Sequence, residues 1–512
     1  MKGRPGLLFL GSTLAALLAL AYLYVKQAPL RGGLELDAQH HIAAVRELAR
    51  GEFPPRHNLI AGHQAQGHYG PYLVALGVLS RLTGASPLAV LYAAGVVNLA
   101  AFALLACLVA DRLVGEGAGR WATLSTLLLW GPWPKPTLTW PSRGWPGSTS
   151  IADVQNFFYP QQAGLALLLL VLFLVLPPAA GASPPTGISL RRWAAVLAAS
   201  AVLIASHPLT GLALVPMLGA LALAEALRRE TTASRTGILL LLPAAALLVA
   251  SLWPYYPVLG LLDAASVPGL RIDPVPEGVV APLPPPAIPA SPALPLVGIL
   301  GPSLIGLVAF ASLLRSGRPF LFLWCAADLI LASLPQLPLR HRFVFFAALP
   351  LQLAACLILE RAWQRHGAAR ALALALLLAG GVSAAQRIRW LLGREVPDLS
   401  FVARFTRDDA VILSDQTTSN GIAGLAGRKV VAPQNPDVFL VASGGWQRVL
   451  DVRRFLSKEA SADERAAILN RWGVTYVLVD RLRAGAPGDL PYPVLYEAGG
   501  YALYAVTAPA AP

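Results

Sequence analysis

Charge is what this sequence lacks: only 13% of its 512 residues are Asp, Glu, Lys or Arg, while 56% are hydrophobic. A soluble chain carries roughly 25% charged residues, so the composition excludes an ordinary cytosolic enzyme. Cysteine is almost missing as well. The three present, Cys107, Cys325 and Cys356, sit in apolar runs with no CxxC spacing and no histidine neighbour. They read as small buried hydrophobes and not as a disulfide or metal framework. No Walker loop, GxSxG elbow or dinucleotide fingerprint occurs, which leaves ATP-driven transport without support. The 44 prolines and 45 glycines follow no period, so collagen-like and repeat architectures are also excluded.

What is present is a basic excess of 40 Lys and Arg over 27 Asp and Glu, or +13, with a mean hydropathy of +0.59. Such a balance usually suggests a nucleic-acid partner. Its placement argues against one. From Pro397 onward there are 12 basic and 12 acidic residues, so the whole excess flanks apolar runs upstream, as membrane topology signals do.

A helix needs about 20 apolar residues to cross the hydrocarbon core. Charge-free stretches predict eleven spans: 6–26, 88–110, 120–133, 160–177, 192–206, 208–226, 236–258, 295–314, 319–334, 343–361 and 369–386. The stretch 192–226 is divided at His207-Pro208, because proline removes a backbone donor and disfavours helix at the residue before it. Lys2, Arg4 and Ala19-Leu20-Ala21 would also suit a signal peptide, but ten further spans make an uncleaved anchor the simpler reading. With the N-terminus inside, every inner connection is basic: Arg112 and Arg120, Arg191 and Arg192, Arg228, Arg229 and Arg235, Arg315 and Arg318, then Arg361, Arg365 and Arg370. Seven of the eight histidines then fall outside (His40, His41, His57, His63, His68, His207 and His341), with His366 inside. The expected architecture is an α-helical polytopic membrane domain over residues 1–394 with outer loops 27–87, 134–159 and 259–294. A small extracytoplasmic α/β domain over 395–512 completes the chain.

Within loop 27–87, apolar spacing predicts surface helices over 36–49 and 71–82; loop 134–159 is rich in Trp and Pro, and 274–295 is too proline-dense for regular structure. Beyond Arg394, short strands are expected at 411–414, 428–432, 474–480, 493–497 and 501–506. A helix over 462–472 carries the Ser461 and Glu464 of a capping box.

Asp37, His40 and His41 stand at i, i+3 and i+4, so a helix puts them on one face. A carboxylate beside imidazoles at an apolar boundary suits a general base with orienting partners; the bland alternative is a solvated helix end with Asp37 favouring the dipole. Asp153, just before the span that begins at Pro160, either binds a divalent cation such as Mg or Mn with Asn156 or a histidine, or caps that helix. Arg340-His341-Arg342 opposes the topology bias; a phosphate would explain it, as would snorkelling to lipid headgroups. His207 reaches the same surface or is a plain turn residue. Asp328, inside a predicted span, is a functional candidate with no partner visible in sequence. His57, His63 and His68 lack zinc-site spacing.

In their order along the chain, these features resemble the GT-C membrane glycosyltransferases. They are Leu36-Asp-Ala-Gln-His-His41 after the first span, Gly67-His-Tyr-Gly-Pro-Tyr72, Leu82-Thr-Gly84, Ala110-Asp-Arg-Leu-Val-Gly115, Tyr159-Pro-Gln161 and Ser206-His-Pro-Leu-Thr210. The resemblance implies a polyprenyl-phosphate-linked sugar donor, with Asp37 as catalytic base and His40 and His41 beside it. It also implies Asp153 as the second-loop acid, and Arg340 or Arg342 on the carrier phosphate, with His207, His68 and Tyr69 as further substrate contacts. One departure stands out. Family members often carry an adjacent acidic pair in the first loop, whereas Glu35 lies two residues before Asp37.

The expected function is inverting transfer of a sugar to an envelope glycan, lipid or protein on the outer face of a bacterial cytoplasmic membrane. The partners are membrane lipids and no nucleic acid. The rivals are a lipid-carrier flippase, which should line several spans with charge, and a catalytically inactive envelope scaffold of the same fold.

Overall fold

A computed structural model of the protein describes residues 6–27, 36–51, 55–61, 69–115, 117–129, 157–177, 189–229, 231–255, 258–259, 300–334, 337, 341–365, 367–392, 398–433, 445–482 and 490–506. The chain divides into two compact units. One comprises Met1–Lys26, Tyr92–Trp253 and Leu283–Gly393; the other comprises Gln27–Leu91, Pro254–Pro282 and Arg394–Pro512.

Each of the eleven predicted apolar stretches contains a helix. Five helices are long and apolar enough to cross a membrane: Leu7–Lys26, Pro87–Leu113, Pro208–Leu227, Ala233–Ala250 and Phe343–Gln364. The shorter ones include Pro160–Val175, Ile305–Arg315, Phe320–Ser333 and Ala368–Val382. The break predicted at His207-Pro208 is present: one helix ends at Ser206 and the next starts with Pro208, whose missing N–H is no loss in a first turn.

Their packing is that of a multi-pass membrane protein. Leu7, Leu10, Leu14, Leu18, Tyr22 and Val25 form an exposed apolar stripe along the first helix, which lipid tolerates and water does not. Helix His341–Gln364 is the opposite case, buried almost throughout among Ile305–Arg315, Phe320–Ser333 and Ala122–Leu128.

Helix ends leave carbonyls without partners inside the helix. Arginines meet them. Arg112 donates to the Phe173 carbonyl at 2.6 Å, Arg192 to Leu174 and Leu176 at 2.5 and 2.7 Å, and Arg235 to Val175 at 2.8 Å, so three guanidiniums close the end of one helix. Arg318 likewise donates to Val114 at 2.9 Å. Arg120 makes a bidentate pair with Glu360, at 2.7 and 2.6 Å. Basic residues that read in sequence as topology markers are thus also caps, placed where the helix dipole favours a cation. Elsewhere in this unit, Tyr24 stacks on Tyr92 with ring centroids 4.1 Å apart, and Phe158 packs against both.

The second unit holds a sheet of five strands, β1 (Val411–Leu413), β2 (Lys429–Val430), β3 (Tyr476–Asp480), β4 (Val494–Ala498) and β5 (Tyr501–Ala505), in the order β2-β1-β3-β5-β4. β1 runs parallel to β2 and β3, while β3, β5 and β4 are antiparallel. Gly499 and Gly500 take φ of 59° and 83°, which the tight β4–β5 hairpin requires. Helix Ala462–Trp472 has the expected capping box: Ser461 accepts from Glu464 N, and Glu464 accepts from Ser461 N. Phe455, Val477 and Tyr504 are buried in the core beside the sheet.

This module is not closed on itself. β2 is an edge of the sheet, and an uncovered edge is a liability. Residues 55–61 cover it: Val430 N donates to the Leu59 carbonyl at 2.8 Å, and Leu59, Ile60, Ala43 and Ala423 form a joint apolar cluster. Residues around Ala43, Leu59 and Ile60 therefore share a core with the C-terminal residues.

Candidate active site

Helix Leu36–Arg50 begins nine residues after the first membrane helix ends at Gln27, and it carries the Asp37, His40 and His41 triplet. Apolar Ala38, Ile42, Ala43, Val45 and Leu48 are all buried, which seats the helix against Pro71–Thr83 on one side and residues 416–426 on another. The seat is tight. A Cβ added to Gly424 would lie 2.6 Å from Gln39 Cβ and 2.8 Å from its Cα and carbonyl oxygen, so only glycine permits this backbone approach.

Polar contacts then run the length of the helix. At its start, His40 Nε2 lies 3.1 Å from Asn420 Oδ1, and Asn58 Nδ2 donates to the His40 carbonyl at 3.2 Å; all three residues are buried. In its middle, the Arg46 guanidinium donates to the carbonyls of Ala423, Gly424 and Leu425, the turns of the short π-helix Ile422–Ala426. Burial, reinforced by the neighbouring charges of Arg50 and Arg428, lowers Arg46 to about 10. Near its end, Lys429 Nζ donates to Glu47 Oε2 at 2.7 Å and to the His57 carbonyl at 2.6 Å, and Arg50 pairs with Glu47 at 3.1 Å. Burial lowers Lys429 below its ordinary value, with Glu47 opposing that shift.

The histidines have distinct surroundings. His40 and His41 are both buried. His57 Nδ1 accepts from the backbone N–H groups of Leu59 and Ile60 at 3.1 and 3.2 Å, so this imidazole closes a turn with its lone pair. Tyr69, fully buried, donates its hydroxyl to the Arg56 carbonyl at 2.5 Å. Burial, aided by the Glu47 charge, holds its phenol well above the usual range and keeps it a donor. In the other unit, His207 caps helix Pro208–Leu212: its Nδ1 accepts from Thr210 N at 3.1 Å and sits 2.7 Å from Thr210 Oγ1.

Asp37 lies in the first turn of helix Leu36–Arg50, with its side chain outside the described residues, and Arg342 has the same standing in helix His341–Gln364. Arg340, His68, His63, Asp153 and Asn156 lie outside the described residues altogether. Asp328 is fully buried on helix Phe320–Ser333. Among the described residues, no group of three or more His, Cys, Asp or Glu is placed to hold a metal ion.

Asn420, Arg46, Glu47 and Lys429 are the residues that sequence reasoning passed over. Asn420 sits in Gln416-Thr-Thr-Ser-Asn-Gly421, a polar run that reads as a loop, and its value comes from a contact 380 positions away. Glu47 did carry a signal: a carboxylate among the apolar positions of an amphipathic helix needs a buried cation.

No protein-family model matches this sequence, and no curated protein matches it. Solved structures do. ArnT from Cupriavidus metallidurans, in the apo state, is similar with a TM-score of 0.55 and 15% identity, covering 97% of this chain and 97% of its own. The archaeal oligosaccharyltransferase AglB from Archaeoglobus fulgidus, in complex with an inhibitory peptide and a dolichol-phosphate, is similar with a TM-score of 0.54. Its identity is 13%, over 91% of this chain and 69% of its own. At these identities the likeness is one of fold.

Proposed function

We propose that this chain, which has the fold shared by the GT-C glycosyltransferases ArnT and AglB, transfers a sugar from a polyprenyl-phosphate donor to an extracytoplasmic acceptor in a bacterial envelope. The observation that carries the reading is the helix directly after the first membrane helix, which has Asp37 in its first turn and holds His40 and His41 buried one turn later. Two buried imidazoles one turn after an aspartate on the same helix are residue types suited to proton transfer.

In this reading Asp37 takes the proton of the acceptor hydroxyl as that oxygen attacks the anomeric carbon. One carbon–oxygen bond forms, the bond to the carrier phosphate breaks, and a single displacement inverts the anomeric centre. The leaving phosphate carries its own charge, so cations suffice to stabilise it. Arg340 and Arg342 take that role, and His207 joins them through Nε2, which bears the proton when Nδ1 serves as a cap acceptor. Asp153 is the residue the sequence offers to Mg or Mn, and no step is routed through a cation. In this reading His68 contacts the substrate, while Tyr69, fully buried with its hydroxyl on the Arg56 carbonyl, supports that segment from within and is not itself a contact.

The same side of the membrane must hold helix Leu36–Arg50 and residues 416–430, because His40 bonds Asn420 and Glu47 bonds Lys429. That shared compartment supports an odd number of crossings, as eleven spans would give, with residues 395–512 outside the cytoplasmic membrane.

The test is Asp37→Asn in purified protein reconstituted with undecaprenyl-phosphoryl-[14C]mannose or -glucose and envelope extract as acceptor. Transfer should fall by at least about a hundredfold, the lower range of what a positioned base supplies, with the fold intact. Unchanged transfer would refute the catalytic assignment, and donor turnover absent from the wild-type protein would favour an inactive scaffold.

A further inference from the structure

We propose that Asn420 is a positioning residue: it fixes the tautomer and orientation of His40, which lies one turn after the proposed base Asp37 on the same helix. The inference rests on the glycosyl-transfer reading for its consequence, while its structural part stands alone.

The argument starts with polarity. The 3.1 Å contact joins His40 Nε2 to the amide oxygen of Asn420, which can only accept. A neutral His40 that keeps this bond carries its proton on Nε2 and its lone pair on Nδ1. Both side chains are buried, His40 at 1% and Asn420 at 0% exposure. In such surroundings the Nδ1–H tautomer would set the Nε2 lone pair against that of the amide oxygen, so the bond selects one of two ring states.

Asn420 is itself held by the fold. Helix Gln416–Gly421 is capped by Asp415, whose carboxylate accepts from Thr417 N and Thr418 N at 3.0 and 3.1 Å. The helix runs into the π-helix Ile422–Ala426, whose carbonyls Arg46 binds at 2.8 to 3.3 Å. The Gly424 approach to Gln39 sets the spacing between the two backbones. His40 lies one turn after Asp37 on the same helix. The C-terminal residues thus hold the helix that carries Asp37 and His40.

Two measurements test it. In protein labelled with 15N-histidine, His40 is assigned by the signal lost in His40→Gln and read at about pH 8, where an ordinary imidazole is neutral. The wild type should show the Nε2–H tautomer, Asn420→Asp should keep it because an acceptor remains, and Asn420→Leu should show a mixture. An Nδ1–H wild type, or an unchanged His40 signal in Asn420→Leu, overturns the proposal; should Asn420→Leu not fold, Asn420→Ala takes its place. For the catalytic part, kcat in Asn420→Leu should drop at least about tenfold with KM unchanged, Asn420→Asp should retain most of it, and the loss should vanish in a His40→Ala background. Independent, multiplicative losses would mean that Asn420 does not act through His40. If transfer also persists in Asp37→Asn, it is the glycosyl-transfer reading that fails, and the tautomer result is unaffected.

Discussion

Removing the carboxylate of Glu360 should reveal how much one ion pair contributes at the end of a buried helix. Glu360 is 1% exposed and accepts four hydrogen bonds: two from Arg120, at 2.7 and 2.6 Å, one from Trp121 Nε1 at 2.9 Å and one from Gln364 at 2.6 Å. Breaking a buried pair by deleting one partner costs about 3–5 kcal/mol. The Arg120 side chain is 36% exposed, so its guanidinium regains some hydration and the lower end applies, about 3 kcal/mol for Glu360→Ala. Glu360→Gln keeps the shape and loses the charge; about 1–2 kcal/mol follows from charge-assisted bonds becoming neutral ones. The protein supplies its own probe, because Cys107, Cys325 and Cys356 are free and buried. A thiol-reactive coumarin therefore reports unfolding in detergent micelles, and Cys356, one turn before Glu360, reports it locally. A Glu360→Ala variant within about 0.5 kcal/mol of wild type would refute the reasoning and class the pair with exposed ones, worth ~0–1 kcal/mol.

Two further outcomes are expected. Gly424→Ala places its methyl against the Gln39 backbone, which cannot yield as a flexible side chain would, so it should cost about 1–3 kcal/mol and lower transfer activity together with stability; a silent Gly424→Ala in both assays would contradict the close approach. Glu464 is held below its ordinary value by the Ser461 N–H and then by Arg454. The folded state therefore binds the proton less tightly than the unfolded chain, and its contribution is complete above the unfolded value of 4.5 and lost as pH falls through the lower folded one. Glu464→Gln should abolish that acid-limb loss, whereas Ser461→Ala, which keeps the N–H bonded to Glu464, should leave most of it and cost about 1 kcal/mol at neutral pH, both measurable by the melting of the C-terminal module between pH 7 and about 3.

The apolar helices were legible because charge is excluded from hydrocarbon, and that exclusion is written residue by residue. So was the break at His207-Pro208, since proline acts locally, and so was the capping box at Ser461, whose two partners lie three residues apart. The arginine caps were half legible. Arg192 and Arg235 were placed by their sign at the ends of spans, but sequence had no means of showing that both meet the carbonyls closing helix Pro160–Val175. Within 300–314, sequence did not show that a 3-10 turn including Pro302 precedes the α-helix at Ile305.

The candidate site divides the same way. Helical periodicity placed Asp37, His40 and His41 one turn apart, and no long-range information was needed. Asn420, Lys429 and Gly424 entered only through contacts of roughly 380 positions' separation, where side-chain type along the chain predicts nothing about the neighbour. Periodicity and hydropathy, being local, determined the helices and which residues could do chemistry. Tertiary structure alone decided that residues 55–61 complete the edge of the C-terminal sheet, because the unpaired edge of β2 and the apolar side chains of Leu59 and Ile60 are covered together.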